Sequence, residues 1–93
     1  MVEETTAQRQ EKLIGQVTHY FTNIGVGVIE LTEDNLKIGE TIHIKGATTD
    51  FEQKVESMQI EHENVDQAKV GQTIGLKVNQ TVRENDKVYK IID

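Results

Sequence analysis

Three histidines, His19, His43 and His62, are the only side chains in this 93-residue sequence that could bring imidazole to a metal or to a proton transfer. Glu61-His62-Glu63 flanks one of them with carboxylates. On an extended strand, however, alternate residues face opposite sides, so Glu61 and Glu63 are expected on one face and His62 on the other. The three histidines fall on three different expected strands with no His-x-His pair, and cysteine is absent, so structural or surface roles are expected rather than a metal site. His19 shares the parity of Val17 and Phe21, which predicts a hydrogen-bonded core histidine. Ser57 is the sole serine and is expected mid-strand, with no base and orienting acid converging on it as a triad needs. With 16 acidic residues on so small a surface, chance carboxylate neighbours are unavoidable, and no glycosidase-type pair can be argued. No phosphate-cradling G-x-x-x-x-G-K-[ST] occurs, and Gly25-Val26-Gly27 lacks the third glycine and the helix of a dinucleotide fingerprint. The residues therefore predict no catalytic, cofactor or metal site and no GTP binding.

What remains is binding, and charge bounds it. The net charge is −6, and its distribution is uneven: residues 1–68 carry 5 basic and 13 acidic side chains, residues 69–93 carry 5 basic and 3 acidic. An acidic body with a weakly basic last quarter is not the footprint of a dedicated nucleic-acid binder. If a polyanion or a partner is held by charge, Lys77, Arg83, Lys87 and Lys90 are the candidate contacts. Aromatic residues for stacking bases are few, being Tyr20, Phe21, Phe51 and Tyr89.

The elements that must position these groups read as strands throughout. Valine and isoleucine dominate the 35% of hydrophobic residues and come in short alternating runs. Residues 1–11 are polar without periodicity and are expected to form a flexible head, with one folded domain over residues 12–93. Strands are expected at 12–22, 26–31, 41–45, 51–60, 74–78 and 88–92. The fourth carries a bulge near Glu56-Ser57 that reconciles the parity of Phe51 and Val55 with that of Met58 and Ile60. Ile42 and Ile44 should face inward, with Thr41, His43 and Lys45 outward. Leu36 and Ile38 should also tuck in, while Val65, Ala68 and Val70 pin a long surface loop to the core. Six short strands with turn signals every 8–12 residues predict a small closed Greek-key β-barrel, closure removing edges that would otherwise be exposed. No apolar run suggests a signal peptide or membrane span, so the expected compartment is the cytoplasm.

The stretch from Val55 to Val78, VESMQIEHENVDQAKVGQTIGLKV, resembles the second domain of the translational GTPases, elongation factor Tu and elongation factor one-alpha. A strand is followed there by a loop ending in Ala-x-x-Gly-Asp-x-Val-Gly, matched here by Ala68, Gly71, Gln72, Ile74 and Gly75. The segment from Leu36 to Gly46 and the opening Gly15-Gln16-Val17 extend the likeness over about residues 12–92. Small elongation-factor-like proteins and the C-terminal barrel of collagenase-like peptidases are also similar, the latter with a His-Tyr-Phe strand like His19-Tyr20-Phe21. The resemblance implies a free-standing, non-catalytic binding or adaptor module docking on a protein or ribonucleoprotein. A weak tRNA-binding or RNA-binding module is the alternative. The family's Gly-Arg-Val-Glu-Arg-Gly surface corresponds to Val28 to Glu33, which lacks both arginines and retains only Glu30.

Overall fold

Two bulges in the first strand decide which side chains face the core. In the computed structural model, which describes residues 10–92, β1 (Gln10–Phe21) breaks register with one neighbour between Leu13 and Gly15 and with the other between Val17 and His19. Each bulge adds one residue and so flips the parity of everything after it. Ile14 and Val17 are therefore fully buried three residues apart and Tyr20 packs against the core, whereas Leu13, His19 and Phe21 point outward. This corrects the expectation of a core His19. Of the expected head, residues 1–9 lie outside the described residues, while Gln10 and Glu11 already belong to the strand.

The chain continues through β2 (Val26–Leu31), β3 (Leu36–Lys37), β4 (Thr41–Lys45), β5 (Asp50–Lys54), β6 (Met58–Ile60), β7 (Glu63–Val65), β8 (Gln67–Ala68), β9 (Thr73–Lys77) and β10 (Lys87–Ile92). There is no helix among the described residues. Eight strands pair antiparallel in the order β5-β4-β10-β1-β2-β9-β6-β7, and β3 pairs with β8 separately. The domain is thus all-β, but backbone pairing does not close it into a six-stranded barrel. The expected fourth strand is the reason. Instead of one bulged strand, residues 51–60 form β5 at one edge of the sheet, a crossing at Val55–Ser57, and β6 beside β9 near the other edge. The sheet rolls so that Gln53 of β5 reaches the end of β9. Its side-chain amide donates to the Lys77 carbonyl at 2.8 Å, and its oxygen accepts the Asn79 backbone N–H at 2.8 Å.

The roll encloses one core. Ile42, Ile44, Ile74, Leu76 and Val78 are inward as their alternation predicts, joined by Leu36, Val55, Met58, Ala68, Val82 and Val88. Fully burying one of the valine, isoleucine, leucine or methionine side chains stabilises the fold by about 1.5–3 kcal/mol relative to leaving it in water. Ile38 and Val70, expected as anchors, are instead exposed. The long surface loop expected after residue 60 is a hairpin: β6 and β7 pair Ile60 with Glu63 and leave Glu61-His62 as the turn, both at positive φ (51° and 69°).

Two close approaches fix the middle of the sheet. A Cβ on Gly15 would stand 2.2 Å from the Glu30 carbonyl oxygen of β2. A side chain on Gly46 would collide with the Asp86 carboxylate, which is itself buried and accepts the Arg83 backbone N–H at 2.9 Å. Asn85 beside it adopts φ 76°, a conformation asparagine tolerates better than most residues.

Candidate docking surface

The outward turn of β1 leaves apolar side chains in water. Phe21, at the end of β1, is 48% exposed, and Ile24, in the turn to β2, is 58% exposed. The turn holds them up: Gly25 at φ 67° lets the Ile24 and Gly25 N–H groups donate back to the Phe21 carbonyl at 3.3 and 2.9 Å. His19 packs edge-on against Phe21 with ring centroids 4.4 Å apart, which fixes the phenyl ring, and its Nδ1 lies 3.7 Å from the exposed Glu84 carboxylate.

Phe21 and Ile24 form a ridge between two recesses. On one side, Val26 and Val28 of β2, Thr73 to Gly75 of β9 and the Glu61-His62 turn border a largely apolar groove of about 370 Å³. On the other, His19 to Asn23 border a recess of about 350 Å³. Exposed aromatic and branched aliphatic side chains rimmed by polar groups mark interaction surfaces more often than isolated exposed residues do. The two exposed histidines, His19 and His62, flank this ridge; neither the parity of β1 nor that of the expected strand through His62 pointed to that placement.

The four basic candidates do not gather on one patch. Lys77 sits on β9 and Arg83 in the β9–β10 connection. Lys87 and Lys90 have opposite parity on β10, so they face opposite sides of the strand. Lys87 donates to the Gln16 side-chain oxygen at 3.1 Å. Lys90, only 14% exposed at its side chain, is held by the Asn35 carbonyl at 3.0 Å, Asp34 at 3.3 Å and Glu40 at 3.6 Å. These groups, with Lys37 and Gln67, line a polar cleft of about 250 Å³. The Asp34 carboxyl is held at about 2, below its ordinary 3.8, first by the Asn35 backbone N–H and then by Lys12. Ser57 lies in the β5–β6 crossing beside Gln53, Lys77 and Asn79. His43 stands apart from the other two histidines, on the outer face of β4 among carboxylates from β1 and β5. No helix among the described residues is long and apolar enough to cross a membrane.

No family model matches the sequence. The chain is 47% identical over 88 residues to a Methanocaldococcus jannaschii protein described as an uncharacterized protease. It is 39% identical over 85 residues to a collagenase of Porphyromonas gingivalis. These alignments take in 92% and 90% of this chain but only 21% and 20% of the relatives, so the chain spans about a fifth of their length. The fold is similar to the C-terminal domain of a Geobacillus thermoleovorans protein assigned to the U32 peptidases, with a TM-score of 0.79 at 20% identity over 96% of this chain and 98% of that one. A selenomethionine variant of that domain superposes with a TM-score of 0.78 at 19% identity, covering 83% and 96%. At that identity the likeness establishes the fold.

These findings overturn the identification with the second domain of the elongation factors. The translation-factor adaptor and tRNA-binding functions inferred with it fall too, because the similarity lies with proteases and collagenases. The spacing from Ala68 to Gly75 has a structural cause of its own. Ala68 is fully buried, Gly71 turns the chain at φ 94°, and the Gln72 side chain accepts the Lys69 N–H at 2.8 Å. A turn of this kind serves any sheet rolled this way, and nothing in it specifies translation.

Proposed function

We propose that this domain is a non-catalytic accessory module of a collagenase-like peptidase, docking through the Phe21–Ile24 ridge onto the part of such a protein that carries the catalytic groups. The exposed ridge is the observation that carries the reading, since among the described residues it is where an aromatic and a branched side chain stand together in water. The occupant follows from the relatives: they are proteases or collagenases about five times as long as the alignment, and the solved neighbour is the C-terminal domain of one assigned to the U32 peptidases. A domain in that position has a larger body beside it to cover an apolar face. In this reading the sheet acts as a barrel whose last seam is sealed by the Gln53 side chain in place of a strand ladder.

The test uses the Methanocaldococcus jannaschii relative from which the matching fifth has been removed. Sedimentation velocity should show a complex with this chain, and the Phe21→Ala/Ile24→Ala pair should weaken it by about 30-fold or more, the effect of losing a buried anchor. Absence of a complex, or one indifferent to the pair, sinks the docking reading. The chain alone should leave collagen intact; hydrolysis by the purified chain that survives further purification would overturn the non-catalytic part.

A further inference from the structure

On the outer face, away from the ridge, one imidazole meets carboxylates at both of its nitrogens. His43 on β4 is the register partner of Glu52 on β5, and its side chain is 12% exposed. Its Nδ1 lies 2.7 Å from a Glu11 carboxylate oxygen on β1, and its Nε2 lies 2.5 Å from an Asp50 carboxylate oxygen. One carboxylate oxygen from Glu11, one from Glu52 and a ring nitrogen of His43 all lie within 4.8 Å of one another.

We propose that Glu11, His43 and Glu52 form a binding site for a divalent transition-metal cation of the zinc class, with His43 ligating through Nδ1 and Asp50 orienting the ring from Nε2. The donor set decides the class of ion. An imidazole nitrogen with two carboxylates suits zinc or cobalt, whereas calcium and magnesium favour all-oxygen shells. Ligands placed tetrahedrally at about 2.0–2.2 Å from zinc stand roughly 3.3–3.6 Å apart. The donors lie within 4.8 Å of one another, and the 2.7 Å pair of Nδ1 and Glu11 must open slightly to admit the ion, shifts that two glutamate side chains can supply by rotation while the paired β4 and β5 hold His43 and Glu52 opposite each other. Asp50 completes the arrangement, because ligating histidines generally give their second N–H to a carboxylate that fixes ring and tautomer. Without a cation the same groups form an ionic latch, the imidazolium donating to Glu11 and Asp50. Burial opposes that charge, but the bonds to Asp50 and Glu11 outweigh it and raise the His43 pKa above its ordinary 6.5.

The experiment titrates Zn²⁺ into the tag-free chain at about pH 8, where fewer protons compete with the metal for the ring, by calorimetry, with Co²⁺ absorption reporting the ligand field. One zinc per chain should bind with a Kd of about 10 µM or tighter. His43→Gln and Glu52→Gln should each weaken it at least tenfold, and Asp50→Asn by about 10–100-fold, as outer-shell partners do. The His19→Gln/His62→Gln pair should leave affinity unchanged, and millimolar Mg²⁺ should not compete. Circular dichroism of each variant checks that the fold is kept, and exposed Glu52 provides a variant that spares the packed ring. Failure of the wild-type chain to bind zinc would overturn the site. So would binding indifferent to Glu52→Gln, or binding lost with His19 and His62; the cluster is then a latch alone.

Discussion

Gln53 accepts the backbone N–H of Asn79 at 2.8 Å across a seam that no strand ladder bridges among the described residues. The two residues lie on segments five strands apart in the sheet order, because β5 is an edge strand and Asn79 follows β9. The same amide gives its N–H to Lys77, so one side chain satisfies a backbone donor and a backbone acceptor where two pieces of the roll meet. Gln53 is one of the few buried polar side chains among the described residues, and its burial is compatible with stability only because both ends of its amide are bonded.

Gln53→Ala should therefore cost more than an exposed polar truncation, about 2–3 kcal/mol, because it leaves the Asn79 N–H and the Lys77 carbonyl without partners. Gln53→Glu should recover only part, since a carboxylate accepts from Asn79 but has nothing to give Lys77. Urea denaturation of the three proteins measures this. Equal stability for Gln53→Ala and the wild type would show that the seam does not depend on this side chain.

Gly15 and Gly46 separate two kinds of close approach. Gly15→Ala brings a methyl against the backbone oxygen of Glu30, which cannot rotate away, so the strands must part and a loss of about 3 kcal/mol or more is expected. For Gly46→Ala the three nearest atoms to the new methyl all belong to the Asp86 side chain, so its cost, about 1–3 kcal/mol, should shrink when Asp86→Ala is added. A double-mutant cycle on Gly46 and Asp86 checks the coupling, and strict additivity would contradict it.

The straight strands were legible from period-2 alternation, as Ile42, Ile44, Ile74 and Leu76 show by facing inward. Parity failed wherever something other than alternation set the face. Two bulges in β1 turned His19 and Phe21 outward, and a bulge leaves no mark on composition. The break after Lys54 separated β5 from β6 without glycine or proline to announce it, so one bulged strand was expected where the chain crosses the roll. The ridge was legible only in its residue types. The cluster at His43 was not legible at all, because Glu11 is 32 positions from it in sequence and is brought close only by pairing across β10.

Asp34 should make the domain sensitive to acid in a defined window. Its carboxyl titrates at about 2 in the fold against an ordinary 3.8, because the Asn35 N–H and the Lys12 and Lys90 ammonium groups favour the charged form. The unfolded chain takes up the proton first as pH falls. The stabilisation is therefore fully present above about pH 4 and is lost progressively as pH drops from 3.8 towards 2. The stability gap between wild type and Asp34→Asn should narrow over that window, and the Asp34 carboxyl carbon should titrate near 2 by NMR. A titration midpoint at 3.8 would refute it.

The Glu61-His62 turn carries strain that can be relieved. A two-residue hairpin with both central residues at positive φ is the geometry for which Asn-Gly is favoured, yet here Glu61 sits at 51° and His62 at 69°. Each non-glycine residue in the left-handed region costs roughly 1 kcal/mol, since Cβ crowds the following carbonyl oxygen. Glu61→Asn with His62→Gly should thus raise stability by about 0.5–2 kcal/mol, the gain limited by the extra freedom glycine restores to the unfolded chain. Both side chains border the groove beside Phe21, so the same variant tests what the strain is for. Stability rising while affinity for the truncated peptidase falls would show that the strained turn presents Glu61 and His62 to the partner. Stability rising with affinity intact would confine the turn's role to joining β6 and β7. A variant no more stable than the wild type in urea would mean that contacts of the two side chains already offset the backbone cost.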